Sequence, residues 1–368
     1  MRCPKCGKEN PDGAQSCNFC NCAFTEASVT SKTINVRVSS LAIASLVLGI
    51  LSVFTCGIMA IPALVLGIIS IILIEKSGGR LTGLGFAVIG IVVSVVAFLT
   101  VILPVLRYRW YRASLMTCGS NLSGIGKAMF IYASDYEYQL PQAGGKESIW
   151  AAKINDWKAT DKRTAFNLEA DSSGGQASIS SSFYLLVKLV EVTPKSFVCP
   201  GDSGTKEFNP AKYGARDREL IDFWDFGPEP TKHCSYSYHI PYGPYPLTTS
   251  SEPGMAVAAD RNPWIPSPFV KAKKDFSKFD PNGTPEEQIY GNAIVHKGDG
   301  QNVLFQDGHV SFEKESFCGV KNDNIYTFWG GSAPNWDRRK GIPHQIGSQP
   351  ASRVDSLLVN DTTVANQK

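Results

Sequence analysis

Residues 41–106 carry only three charged side chains, Glu75, Lys76 and Arg80. No other stretch limits the possible folds so strongly. Residues 41–74 are uncharged throughout, and as one helix they would extend about 51 Å against a hydrocarbon core of ~30 Å. The "TCG" at 55–57 offers a break, so two short helices, about 41–55 and 57–74, fit better than one. "EKSGGR" then makes a polar loop, and residues 81–106 are long enough to span with some tilt. Gly49, Gly57, Gly67, Gly83, Gly85 and Gly90 suit close helix–helix contact. A buried helix in a water-soluble core is the alternative, and these lengths disfavour it. No charged leader before a single short apolar region is present, so a signal peptide is not expected. Lys32, Arg37, Lys76 and Arg80 favour a cytoplasmic N-terminus and second loop, while Arg107, Arg109 and Arg112 pull the other way. Three spans are preferred to two. The net charge of +3 gives no reason to expect a nucleic-acid partner.

Ahead of this region lies "CPKCGKENPDGAQSCNFCNC", residues 3–22. Cys3-x2-Cys6 and Cys17-x2-Cys20 form two knuckles able to aim four thiolates at one tetrahedral centre, which suits Zn²⁺. "NPDG" reverses the chain between them. So short a ribbon cannot bury a useful core, so the metal must supply its folding energy. Two disulfides are the alternative, and the paired spacing favours zinc. Cys22 is a fifth thiol that could replace Cys20. The stretch resembles the short zinc ribbons at the N-termini of many bacterial membrane proteins, which implies a cytoplasmic, partner-recruiting domain. The apolar text "LAIASLVLG" followed by "GGRLTGLGFAVIG" resembles a small bacterial membrane domain of unknown function, over roughly residues 41–95.

Beyond the apolar region, Leu115, Cys118, Leu122, Ile125, Met129, Tyr132 and Tyr136 recur at spacings of three and four. This predicts one apolar helix face packed on a sheet, with Pro141 marking the end. "CGSNLSGIGKAM" and "YASDYEYQLP" resemble type IV pilin-like and pseudopilin-like proteins, notably the prepilin-type family with a His…Asp-Gly signature. Cys118, Asn121, Leu122, Ile125 and Gly126 carry the helix motif, and Cys199, Pro200 and Asp202 match a Cys-Pro-x-Asp segment. His296, Asp307 and Gly308 carry the signature, with one spacer residue more than the family's usual nine. The resemblance covers about residues 84–315 and implies a long N-terminal helix on an antiparallel sheet. Gly85-Phe86 stands where such proteins are processed, but Gly90 replaces the glutamate expected five residues on.

In the C-terminal part, "LEADSSGGQASISSS" reads as a flexible loop and "LVKLV" as a short helix. "CSYSYHIPYG" and "GMAVAADRNP" read as strands, the second ending at Asp260. "QNVLFQDGHVSFEK" predicts a hairpin closed by Asp-Gly in a type I′ turn. A Cys199–Cys234 disulfide would close a loop of moderate length, with reduced, buried cysteines as the equal alternative, and Cys118–Cys318 could form a second bridge. Residues 331–368 read as a largely disordered tail.

The expected organisation is therefore multidomain: a zinc ribbon (1–24), a linker (25–40), transmembrane helices (41–106), an α+β pilin-like domain (107–330) and the tail. No nucleophile, phosphate-binding or metalloprotease motif occurs, and Asp307 is explained by its turn, so no enzyme activity is expected. The expected cofactor is Zn, held by Cys3, Cys6, Cys17 and Cys20. The expected partners are the lipid bilayer, a protein at the ribbon and envelope assembly components. The chain is expected to be a multi-pass protein of the bacterial cytoplasmic membrane, its N-terminus inside and its C-terminal domain outside. Its expected role is pseudopilin-like assembly. The alternatives are a sensor of an external ligand, or a membrane-bound hydrolase using His296 and Asp307.

Overall fold

The computed structural model describes residues 1–24, 37–55, 58–145, 147–266, 268, 274–329, 335–344 and 347–362. Most of the expected linker and the break at Cys56-Gly57 lie outside the described residues. The chain divides into two compact units, Met1–Arg107 and Tyr108–Lys368.

In the first unit the N-terminal ribbon is made of two knuckles, each fastened by isolated bridges, Arg2 with Glu9 and Ser16 with Ala23. A short strand β1 (Arg37–Val38) precedes helices α1 (Ser40–Phe54) and α2 (Ala60–Lys76). Strand β2 (Leu81–Thr82) lies parallel to β1 and leads into helix α3 (Leu84–Ala97). The three helices pack on one another. Their buried positions hold only small side chains: Ala42, Ser45, Gly49 and Ser52 on α1, Ala60, Ala63, Gly67 and Ser70 on α2, and Ala87, Gly90, Ser94 and Ala97 on α3. Gly90 permits the closest approach, since a Cβ there would lie 2.5 Å from the Ser45 hydroxyl oxygen and 2.9 Å from the Leu46 nitrogen. Ser45 donates to the Ala63 carbonyl across the helix pair at 2.9 Å. The large apolar side chains, among them Ile43, Val47, Ile61, Val65, Val88 and Val92, face outward and exposed. A water-soluble bundle places these classes the other way round. A five-residue π-helical segment, Phe98–Ile102, follows α3. The helical run Leu84–Asp135 is the one, among the described residues, long and apolar enough to cross a membrane.

The second unit begins on helix α4 (Leu103–Asp135). Its apolar spacing is realised: Cys118, Leu122, Ile125, Met129 and Tyr132 are buried, whereas Tyr136 is exposed and stacks on Tyr132. The helix ends well before Pro141, because Glu137 and Tyr138 take left-handed φ values of 51° and 61°. Strand β3 (Ile149–Trp150), helix α5 (Lys162–Phe166), strand β4 (Gln176–Ala177) and helix α6 (Ile179–Val190) follow. The serine run read as flexible loop is instead the first turn of α6. Ser178 accepts from the Ser181 N–H as its N-cap, and Ser180, Ser181 and Ser182 are buried.

Strands β5 (Tyr236–His239) and β6 (Ala256–Asp260) are buried along their whole length. Helix α7 (Pro285–Gln288) precedes the hairpin β7 (Gln301–Phe305) and β8 (Val310–Glu313). Strand β9 (Thr327–Phe328), helix α8 (Asn335–Lys340), strand β10 (Ile342–Pro343) and strand β11 (Leu358–Val359) complete the chain order. A five-stranded antiparallel sheet runs in the order β11-β5-β6-β7-β8. Helix α4 packs on it, with Gly126 against Leu304 and the Asn121 amide donating to Val198 O at 3.1 Å.

Two expectations are corrected by these elements. Within the span expected to be a largely disordered tail, the described residues 335–344 and 347–362 include helix α8 and strands β10 and β11. Among the described ones, Leu357, Leu358 and Val359 are fully buried and β11 is an outer strand of the sheet. The apolar run is too short to stand out from its polar flanks. The hairpin turn is also not type I′. Gly308 N–H donates to Phe305 O and Phe305 N–H to His309 O, and of the turn residues only Gly308 has positive φ, 86°. This is a three-residue loop, a type I turn followed by a left-handed glycine.

Candidate functional site

In the ribbon, Gly7 N–H donates to Cys3 O and Asn21 N–H to Cys17 O, both at 2.9 Å. Gly7 (φ 71°) and Asn21 (φ 52°) fill equivalent left-handed positions, so both knuckles turn alike. The sulfurs of Cys3, Cys6, Cys17 and Cys20 converge, with Cys3–Cys20 at 3.7 Å and Cys6–Cys17 at 3.6 Å. Cys22 stays outside this cluster, its sulfur facing the Ala23 carbonyl. Sequence reasoning missed Asn10. Its amide donates to Cys17 Sγ at 3.4 Å while its Oδ1 accepts from the Asn18 N–H, tying one knuckle to the other.

Burial pushes the Cys17 thiol up, but the N–H groups of Phe19 and Cys20 and the Asn10 amide outweigh it and bring it down to about 6. At Cys20 the Cys22 N–H favours the thiolate, but burial and the sulfurs of Cys6, Cys17 and Cys3 push the thiol up to about 12. Four sulfurs this close cannot all be anionic without a cation among them. The donor set and its spacing are compatible with a metal site built from four cysteines.

The candidates in the second unit separate into two pairs. Asp307 sits at the exposed hairpin tip, where its carboxylate accepts from the His309 N–H at 3.1 Å and from the His309 ring. The His309 N–H, followed by the ring, holds that carboxyl below its ordinary value. His309 also stacks on Phe305, ring centroids 4.6 Å apart. His296 is elsewhere and fully buried. Its Nε2 lies 3.1 Å from Asp260 Oδ2, 3.4 Å from Asn302 Nδ2 and 3.8 Å from Cys199 Sγ. The hydrolase reading needs His296 and Asp307 as one pair, and each has a different partner. Nor do His296 and Asp260 form a relay, which requires the two ring nitrogens to serve different partners. Here the carboxylate and the sulfur both face Nε2, and Nδ1 is buried without a partner.

Cys199 is bonded to Cys118. The Cys199–Cys234 and Cys118–Cys318 pairings expected from sequence are therefore both replaced, because α4 sets Cys118 beside the Cys199 turn. Cys234 is a buried free thiol, pushed up to about 12 by burial, and Cys318 is free. The Cys-Pro-x-Asp segment closes on itself, with Asp202 N–H donating to Cys199 O. Asp202 forms a buried ion pair with Arg261 at 3.0 Å and accepts from Thr205 Oγ1. Burial raises the Asp202 carboxyl, but Arg261 and its hydrogen bonds prevail and hold it below its ordinary value.

The loop after His296 is fixed by left-handed residues Lys297 and Gly298, with φ 61° and 83°. The Tyr111 hydroxyl fastens it, reaching Asp299 Oδ2 at 2.7 Å and the His296 carbonyl at 3.1 Å. Asp260 was legible as a candidate at a strand end. Asn302, which donates its backbone N–H at 2.7 Å to Asp260 Oδ2, was not.

No curated protein and no solved structure matches the chain. Residues 41–104 match a family model described as a domain of unknown function, DUF4190.

Proposed function

We propose that this chain is a membrane-anchored scaffold of the bacterial cell envelope, pseudopilin-like in its C-terminal domain and without catalytic activity. Its ribbon holds Zn²⁺ through Cys3, Cys6, Cys17 and Cys20 on the cytoplasmic side and docks a protein partner there. The observation that carries this reading is the opposite sulfur chemistry at the two ends of the apolar region. Four converging free thiols precede it and the Cys118–Cys199 disulfide follows it. Thiolate ligands belong to a reducing compartment and structural disulfides to an oxidising one. An odd number of crossings then separates them.

Three crossings are favoured over one by the inverted bundle. Small residues meet between the helices and large apolar ones face out, as lipid requires. Helices α1 and α2, at 15 and 17 residues, are short for spans, and a locally thinned bilayer accommodates them. The assembly role is supported by α4, which buries one face on the sheet and leaves Trp110, Met116 and Ile131 exposed on the rest.

The test is topology in intact spheroplasts. Protease added outside should digest residues 108–362 and leave the ribbon intact, and a cysteine placed at Ile58 should react with an impermeant thiol reagent. Protection of the C-terminal domain would sink the reading. Crosslinking through Met116→Cys in native membranes should give multimers, and monomers alone would remove the assembly role while leaving the topology standing.

A further inference from the structure

The disulfide, the imidazole and the carboxylate described above lie together in the buried interior. Cys118, Cys199, Asp260 and His296 are each fully buried, and one donor atom from each lies within 4.8 Å of the others. One polar atom of this cluster, Asp260 Oδ1, has no hydrogen-bond partner. Buried polar atoms are ordinarily satisfied, so this cluster is incomplete as a purely structural one. A tetrahedral Zn²⁺ with Zn–S bonds of ~2.3 Å and Zn–N or Zn–O bonds of ~2.0–2.2 Å sets neighbouring donor atoms roughly 3.3–3.8 Å apart. The His296 Nε2 separations of 3.1 Å from Asp260 Oδ2 and 3.8 Å from Cys199 Sγ already lie close to that range. The two bonded sulfurs stand too close together for it.

We propose that this cluster is a redox-gated metal site. Oxidised, it is a disulfide. Reduced, it offers two thiolates, one imidazole and one carboxylate to Zn²⁺ or another thiophilic divalent ion. A dithiol reductant gives two electrons and two protons to the Cys118–Cys199 bond and itself becomes a disulfide. The freed thiols then lose both protons to solvent as the metal binds. His296 binds as the neutral ring with its proton on Nδ1, so that Nε2 can face the metal. Cys118 and Cys199 supply sulfur, Asp260 a carboxylate oxygen, and Asn302 holds that carboxylate in place through its backbone and side-chain N–H groups. Gly201 keeps the ring seated without crowding, since a Cβ there would stand 3.1 Å from its Cε1. The site is distinct from the ribbon and does not depend on which side of a membrane the domain occupies.

The test uses the full-length chain in detergent with Cys3→Ser, Cys6→Ser, Cys17→Ser and Cys20→Ser, which removes the ribbon site. Zinc chloride is added before and after dithiol treatment and bound zinc is counted by mass spectrometry. Co²⁺ in a parallel sample reads thiolate coordination by its charge-transfer absorption. The oxidised chain should bind essentially no metal and the reduced chain about one equivalent, with a thiolate–cobalt band. His296→Ala should weaken binding by at least ~10-fold. Should that variant fail to fold, Cys118→Ser gives the same reading, because it removes one ligand and leaves the ring in place. Three results overturn the proposal: no uptake on reduction, loss of the near-ultraviolet circular dichroism of the reduced, zinc-supplied chain, or uptake that neither substitution weakens.

Discussion

A Cβ on Gly126 would lie 2.7 Å from Cδ1 of Leu304, closer than the 3.1 Å that one on Gly119 would leave to Asn302. Close-packed interiors resist added volume, so Gly126→Val should destabilise the domain by about 1–3 kcal/mol. At Gly124, two residues earlier on the same helix, a Cβ would meet no atom within 4 Å. Gly124→Ala should therefore stabilise, by up to about 1 kcal/mol, through helix propensity alone. Denaturant melts of the two variants check both signs.

The carboxyls of Asp225 and Asp361 are fully buried near the first turn of α6. Burial first, and then the Asp361 charge, push Asp225 up to about 7, and burial raises Asp361 as well. The fold thus favours the protonated form of Asp225. Its contribution is complete below the ordinary carboxylate value of 3.8 and is lost as pH rises to about 7. The wild-type chain should lose on the order of 2–4 kcal/mol from this group between about pH 4 and pH 8, and Asp225→Asn should not. Melting temperatures of the two chains across that range decide it. Parallel curves would show the group to be indifferent.

The Cys118–Cys199 bond closes 81 residues of sequence. In the chain-entropy model its removal costs about 4.5 kcal/mol. Cys118→Ala with Cys199→Ala should show a loss of that size by chemical denaturation, whereas Cys234→Ala should cost about 1 kcal/mol. Peptide mapping without reductant should recover Cys118 and Cys199 linked, with Cys234 and Cys318 alkylatable once the chain is unfolded.

With the ribbon thiols kept reduced and the Cys118–Cys199 disulfide intact, the ribbon should take up one Zn²⁺ per chain, and a chelator should release it and unfold residues 1–24. Asn10→Ala removes the N–H that faces Cys17 Sγ and the acceptor for Asn18. Partners of this kind tune metal affinity, so the variant should bind zinc about 10-fold more weakly. Competition with a chromophoric chelator measures it.

Local periodicity made much of this molecule legible. The α4 face from Cys118 to Tyr132, the strand ending at Asp260 and the β7–β8 hairpin all rest on patterns within a few residues of one another. So does the converging set of Cys3, Cys6, Cys17 and Cys20. What failed depends on long-range pairing. Cys118 reaches Cys199 because a helix crosses the sheet, which no cysteine spacing encodes. His296 meets Asp260 rather than Asp307, because antiparallel β6 and β7 bring Asp260 beside Asn302. The Asp307-Gly308 turn was recognised as a turn but misassigned in type, since "DG" serves both geometries and the residue before it decides.

Strand β11 lies outermost beside β5, and Asp361 just beyond it accepts hydrogen bonds from Ile179 N–H and Trp150 Nε1, across sequence separations of 182 and 211. Strand β3 and the start of α6 are thus held by one of the domain's latest segments. While the ribosome is still making residues 108–350, the start of α6 lacks its carboxylate and one sheet edge stays bare. The domain can finish folding only after synthesis has passed Asp361. The nascent domain therefore stays soft until its closing segment arrives.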